Sequence, residues 1–242
     1  MEKCLKREKC FWVNNMKNTK SKLIVIEGVD SSGKATQSKL LFDTLSEKGL
    51  DVSAVEFPNY SSDSSAVVKM YLGGSFGTDP DSVNPYAASI LFAVDRFASV
   101  KALWADKFCG DKVVIADRYT TSNMVHQASK IADLTKKSEF LDWLYDLEYN
   151  KMELPKPDLV IFLDMPVKYA QMLMANRANK IDNSDIKDIH ESNEKYLYEA
   201  YDNACFVAQK YNWTRIECVR DGQVRSIEDI ASEILCHAQK IL

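Results

Sequence analysis

No apolar run in this chain approaches the ~20 residues that a membrane-spanning helix needs. Residues 1–21 are basic and polar, rich in Lys and Asn, with no apolar core of signal-peptide length. Neither a membrane span nor a secretory leader is expected, and this segment reads as a flexible extension. A basic excess is also missing: 31 Lys and Arg stand against 35 Asp and Glu, a net charge of −4. Proteins that grip a phosphate backbone usually show a basic face or surplus, so nucleic acid is not an expected partner. The six cysteines (Cys4, Cys10, Cys109, Cys205, Cys218 and Cys236) form no C-x-x-C pair. That pattern suits reduced thiols in the cytoplasm better than a disulfide frame or a zinc site. There is no internal repeat and no low-complexity stretch. Gly73-Gly74 and Pro155-Lys156-Pro157 read as turns and not as linkers. One domain is therefore expected over residues 22–242.

What remains is the pattern of an α/β domain. The chain is 242 residues long and 46% apolar, enough for a substantial core. Short, almost continuous apolar runs occur at Leu23–Ile26, Val52–Phe57, Val113–Ala116, Leu159–Leu163 and Ile216–Val219. Such runs fit strands buried on both faces of a parallel sheet. Helical patterns lie between them. Lys34–Lys48 carries Leu40, Leu41 and Leu45, with Gly49 as a stop. Pro85–Phe108, Asp142–Asn150, Val167–Arg177 and Glu191–Tyr211 follow, and Ser226–Ile241 closes the chain with Ser226 as N-cap. Strands alternating with helices predict a three-layer arrangement.

The densest signal is Gly28-Val29-Asp30-Ser31-Ser32-Gly33-Lys34-Ala35-Thr36, placed after a strand and before a helix. In that context it is a phosphate cradle. Backbone N–H groups at the helix start point at the anion and the helix dipole favours negative charge. Gly28 and Gly33 allow the tight turn, and Lys34 supplies a point charge for the terminal phosphates. One letter departs from the usual pattern. The hydroxyl residue that sits on Mg²⁺ is replaced by Ala35. Thr36 points about 100° further round the helix. The metal is therefore expected to rest mainly on phosphate oxygens and water.

A second group of residues selects among phosphate-loop functions. Phe92 and Arg96 lie four apart on a helical stretch and share a face. Asp117-Arg118-Tyr119-Thr120-Thr121-Ser122-Asn123 follows one strand and Phe57-Pro58-Asn59-Tyr60 follows another. Polar clusters at the carboxyl ends of parallel strands are where open α/β sheets bind ligands.

At these residues the chain resembles the thymidylate kinases, a family of P-loop nucleoside monophosphate kinases. The resemblance covers about residues 22–242. It is carried by the Gly28–Thr36 loop, Phe57-Pro58, Leu91-Phe92-Ala93-Val94-Asp95-Arg96, Asp117-Arg118-Tyr119, Leu163-Asp164 and Arg225-Ser226-Ile227-Glu228-Asp229. It implies the three-layer P-loop NTPase fold, a five-stranded parallel sheet flanked by helices, with a mobile lid over about 166–195. It also implies transfer of the γ-phosphoryl group of ATP to dTMP with Mg²⁺, and a homodimer built through long helices.

The resemblance further assigns roles. Phe92 stacks on the pyrimidine, a contact worth ~1–3 kcal/mol. Arg96 donates to thymine O4, and Asn123 meets N3–H with its amide oxygen. Arginine has donors only, so it cannot pair with the amino group that cytosine shows at that place. Arg118 clamps the acceptor phosphate and Asp30 contacts the sugar 3′-hydroxyl. Tyr60 and Ser122 touch substrate, and His126 stands where relatives usually carry Tyr or Phe near the sugar. The loop has Ser31-Ser32 and no arginine, a pattern that in relatives accompanies several lid arginines. Here the lid offers Arg177, the candidate for charge on the transferring phosphoryl, with Lys180 as a weaker substitute. A stretch around Arg220–Val224 corresponds to the adenine loop.

Plainer readings stand beside these. Phe92 alone reads as core more readily than as a base platform. Asp117-Arg118 also fits a local ion pair at a strand end. His126 and His190 each read as solvated or packed, and Asp164 as structural or as a group near the metal. Tyr196, Tyr198 and Tyr201 read as helix packing, with room for one ring to approach substrate. A kinase with another acceptor, or a nucleotide switch without turnover, remains the alternative function.

Overall fold

A computed structural model describes residues 20–104, 108, 110–178 and 194–242, with backbone alone at 175–178. Residues 1–19 of the expected extension and residues 179–193 of the expected lid lie outside the described residues, as do Lys180, His190, Cys4, Cys10 and Cys109.

The centre is a five-stranded sheet in which every neighbouring pair is parallel. Its strands are β1 (Lys22–Glu27), β2 (Val52–Glu56), β3 (Val113–Asp117), β4 (Leu159–Asp164) and β5 (Thr214–Glu217). Their spatial order is β2-β3-β1-β4-β5. Side chains alternate along a strand, and both faces of the middle strands are covered. Leu23, Val25, Val114 and Ala116 enter one core with Trp104, Phe140 and Leu144. Ile24, Ile26, Ile115 and Leu163 enter the other with Leu41, Ile230 and Ile234. Emptying such a site, Ile24→Ala for example, costs about 2–5 kcal/mol. The run at Val52–Phe57 departs from the expectation of burial on both faces: β2 is half-exposed because it is an edge strand.

The helices on the two faces are α1 (Lys34–Glu47), α2 (Ala66–Leu72), α3 (Pro85–Ser99), α4 (Thr120–His126), α5 (Leu134–Tyr145), α6 (Val167–Ala178), α7 (Glu194–Lys210) and α8 (Ile227–Ala238). A two-stranded hairpin, β6 (Val219–Arg220) with β7 (Gln223–Val224), precedes α8. Gly49, at φ 84°, ends α1 as expected. Its N–H reaches Ser46 O and that of Leu50 reaches Leu45 O, the paired closure of a helix stop. Ser226 caps α8 by accepting from Asp229 N at 3.1 Å.

Two helix expectations need correction, and two short helices were missed. Pro85–Phe108 is not one α-helix: α3 stops at Ser99 and a π turn, Val100–Trp104, follows. The wider turn keeps both Val100 and Trp104 in the core. The helix expected at Asp142 starts eight residues earlier, at Leu134, where Asp133 accepts from Lys136 N at 2.9 Å. Its polar first turn hid the period. The short helices α2 and α4 were not foreseen, because seven residues carry too little periodicity to register.

The register brings the loops together. Ile26 and Glu56 both lie opposite Asp117, and Glu27 lies opposite Phe162. The segments after β1, β2 and β3 therefore emerge side by side at one sheet edge, where the strand order reverses.

Candidate active site

The loop after β1 is shaped by its own sequence. A Cβ at Gly28 would lie 2.5 Å from Ser32 Oγ and 3.1 Å from Leu163 O, so no larger residue fits. Gly33, at φ 95°, opens α1 from a left-handed conformation that favours glycine. Gly28 N donates to Glu27 Oε1 at 2.9 Å. Asp30, Ser31, Ser32, Gly33, Lys34, Ala35 and Thr36 line a cleft of about 710 Å³. Gly28 and Val29 do not line it. Gly28 packs behind the loop, and Val29 turns its side chain into the core.

Lys34 is buried and donates from Nζ to Val29 O at 2.8 Å, with Asp30 Oδ1 at 3.8 Å. Burial, helped by repulsion from Arg118, pushes its ammonium down to about 8. Asp117 faces the same cleft from the end of β3. Its Oδ1 is buried without a hydrogen-bond partner, and burial raises its carboxyl above the usual range.

Next to the cleft lies a smaller pocket of about 180 Å³. Every residue expected at the acceptor lines it: Asp30, Phe57, Pro58, Tyr60, Phe92, Arg96, Arg118, Ser122, Asn123 and His126. Leu72 and Gln127 line it too and were missed. Asp30, Phe57, Pro58, Tyr60 and Arg118 line both spaces, so the two open onto one another.

Arg118 sits at that junction with φ 65°. Its backbone N–H donates to Ile26 O, which fixes it beside β1. Nη2 donates to Asp30 Oδ1, and Nη1 donates to His126 Nε2 at 3.2 Å. A guanidinium only donates, so the His126 ring carries its proton on Nδ1, which faces the Tyr196 hydroxyl at 3.2 Å. Burial alone would lower the Arg118 guanidinium, but Asp30 and Glu27 raise it above its ordinary value. The ion pair of Arg118 is thus with Asp30 and not with its neighbour Asp117. Asp30, expected at the sugar hydroxyl, is engaged by both Arg118 and Lys34.

At the far end of the pocket Phe92 meets Tyr71 edge-on at 5.9 Å. Phe57, by contrast, is mostly a core residue, packed on Trp104 and Tyr119. Arg96 is only 2% exposed and forks onto Glu148, Nε to Oε2 at 2.6 Å and Nη2 to Oε1 at 2.7 Å. Nη1 donates to Tyr119 O at 3.1 Å. A guanidinium carries five N–H groups, so capacity remains toward the pocket. Asn123 Nδ2 donates to Ser89 O at 3.1 Å and to Glu148 Oε1 at 3.0 Å. Both amide N–H groups are used, and the carbonyl Oδ1 is left to face a ligand.

Residues 26–220 match the thymidylate kinase family model. The chain belongs to the thymidylate kinase family. It is 32% identical over 215 residues to a probable thymidylate kinase of Thermococcus onnurineus (strain NA1), covering 88% of this chain and 94% of that one. It is 30% identical over 224 residues to the thymidylate kinase of Plasmodium falciparum, covering 92% and 91%. The solved thymidylate kinase of Candida albicans shares the fold, with a TM-score of 0.66 at 21% identity over 91% of this chain and 93% of that one.

Other residues of this thymidylate kinase family member fall into place around the two spaces. Asp164 accepts from Arg215 Nε at 2.8 Å and from Tyr201 OH at 2.7 Å, which fits the structural reading. Val224 and Arg225 line the cleft, whereas Arg220 does not. Arg177 is on α6, and its side chain is outside the described residues. Two buried acids were missed. Glu27 holds the phosphate loop, and Glu148 holds Arg96 and Asn123. An acid ending an apolar strand beside Gly28 was a signal for the first. No local signal marked the second.

Among the described residues no helix is long and apolar enough to cross a membrane. No group of three or more metal-ligating side chains occurs among them either. The unpartnered Asp117 carboxylate beside the cleft does fit Mg²⁺, a hard cation that usually takes one or two carboxylates with phosphate oxygens and water.

Proposed function

We propose that this protein transfers the γ-phosphoryl group of ATP to dTMP, giving dTDP and ADP. The supporting observation is the amide of Asn123: with both N–H groups tied, it offers an acceptor. Thymine and uracil carry N3–H, and cytosine carries a bare N3. The guanidinium of Arg96 beside it offers donors to a ring carbonyl. Together they reject cytosine twice, and a buried group left unpaired is what makes such rejection strong.

Catalysis in this reading is positioning and charge stabilisation. The loop amides and Lys34 hold the donor phosphates. Arg118 holds the acceptor phosphate where the two spaces join. Arg177 closes from the lid onto the transferring group, and lid closure excludes water that would otherwise hydrolyse ATP. Asp117 would help hold Mg²⁺, which when bound neutralises phosphate charge. The acceptor is a monophosphate and not a nucleoside, since Arg118 has no partner on a nucleoside. The partners are small molecules, with neither nucleic acid nor membrane, and the setting is cytoplasmic. A homodimer is supported by an exposed apolar stripe on α3, Ile90, Val94 and Phe97, at helical spacing.

A coupled ADP-release assay across dTMP, dUMP, dCMP, UMP and thymidine tests the reading. dTMP should be the best acceptor. dUMP lacks one methyl, worth ~0.8 kcal/mol or about fourfold. Turnover of dCMP equal to that of dTMP would sink the proposal, and ATP binding without any turnover would favour a switch.

A further inference from the structure

Beyond the residues that line the acceptor pocket, we infer that Glu148 is the positioning residue that sets its base selectivity. The inference deepens the dTMP reading and rests on it. Glu148 lies in the π turn Asp146–Lys151 that follows α5 and is fully buried. It does not line the pocket. Its two oxygens accept four donors. Oε1 takes Arg96 Nη2 and Asn123 Nδ2, and Oε2 takes Arg96 Nε and Thr120 Oγ1 at 2.9 Å. Every other member of the cluster is a donor at this point.

The consequence is directional. An amide can point either way unless its surroundings decide. A carboxylate only accepts, as does the backbone oxygen of Ser89, so the two together compel Asn123 to turn Nδ2 inward and Oδ1 outward. The same carboxylate fixes the Arg96 plane by a two-point fork and supplies the counter-charge for a buried guanidinium. Donor at one ring position and acceptor at the next, the code for thymine against cytosine, is thus joined from behind by one acid that reaches both side chains, with Ser89 O holding the second Asn123 N–H. A neutral isostere cannot do this. Gln in its place has one oxygen and one NH₂, and whichever end is NH₂ faces a donor. With the NH₂ toward Asn123, only Ser89 O still favours the present amide orientation, and the flipped state, which presents N–H to the pocket and suits the bare N3 of cytosine, becomes accessible.

Glu148→Gln tests this. Steady-state kinetics with dTMP and dCMP, at saturating ATP, should show a dTMP KM raised about tenfold or more with kcat changed less than about threefold. The dTMP-to-dCMP ratio of kcat/KM should narrow at least about tenfold. The KM for ATP should hold. A role in folding alone would lower thermal stability and depress both acceptors alike, so a folded E148Q whose ratio stays within about twofold of wild type overturns the inference. If E148Q is not recovered folded, Glu148→Asp keeps the charge but shortens the reach, and an unchanged ratio there overturns it equally. A wild-type protein that ignores dTMP overturns the function itself; a wild type that prefers dTMP beside an unchanged variant ratio overturns only the role of Glu148.

Discussion

Thr121 Oγ1 donates to Glu27 Oε2 across 2.7 Å, joining residues 94 apart in sequence. Ser122 Oγ donates to the same oxygen at 2.7 Å, and Gly28 N donates to the other. One fully buried carboxylate therefore ties the phosphate loop to the helix that carries Ser122, Asn123 and His126. The protein itself therefore holds the cleft and the smaller pocket in a fixed relation.

Thr121→Val keeps shape and removes one donor from that carboxylate. Leaving a buried charge short of a bond costs about 1–3 kcal/mol. Urea unfolding should show a lower midpoint by that amount, with the KM of both substrates raised. An unchanged midpoint would mean that Glu27 is satisfied without Thr121.

Lys34 makes ATP use sensitive to pH. Its ammonium is pushed down to about 8 by burial and by Arg118. Bound phosphates favour the charged form and raise it again. In the proposed role, the contribution of Lys34 to ATP affinity is thus full well below pH 8 and is lost as pH rises through it. A profile of kcat/KM for ATP should fall on the alkaline side with a midpoint near 8, and Lys34→Met should remove that limb. Fold stability moves the other way. Between pH 8 and the ordinary lysine value the unfolded chain binds the extra proton, so this group favours the empty folded state as pH rises.

Arg118→Lys keeps a charge and loses the planar fork. The KM for dTMP should rise at least about tenfold while that for ATP changes less than about threefold. Equal effects on both substrates would place Arg118 on the donor instead.

Asp117→Asn keeps the shape and removes the carboxylate charge at the proposed metal position. The Mg²⁺ concentration giving half-maximal rate should rise about tenfold, read by titration at fixed ATP, and chelation should abolish transfer in both proteins. Identical Mg²⁺ curves would remove Asp117 from the metal site.

Arg177→Ala addresses the lid. Loss of a group that acts only in the transition state lowers kcat with little change in the KM for ATP. The opposite pattern would make Arg177 a simple ATP contact.

The sequence disclosed local features best. The phosphate loop was readable because its determinants, Gly28 to Lys34, lie within seven consecutive residues of a strand-to-helix junction. The apolar runs disclosed all five strands, although edge exposure of β2 depends on strand order, which no run encodes. Arg96 and Asn123 were reached through family resemblance. The acid that orients them was not, because Glu148 is 52 residues from one and 25 from the other. In its own stretch, Asp146-Leu147-Glu148-Tyr149, a carboxylate looks solvated. Helix α4 escaped because its side chains serve the pocket and not a hydrophobic stripe.

Asp30 gives the resting molecule an anion of its own. It lies against both Arg118 and Lys34, the two cations that otherwise would confront each other across an unfilled crevice. Under the proposed function, substrate arrival would be an exchange, an incoming oxyanion taking over a role that an internal carboxylate fills. The scaffold need not tolerate bare like charges, and the two cations are held in place by an anion of the fold itself.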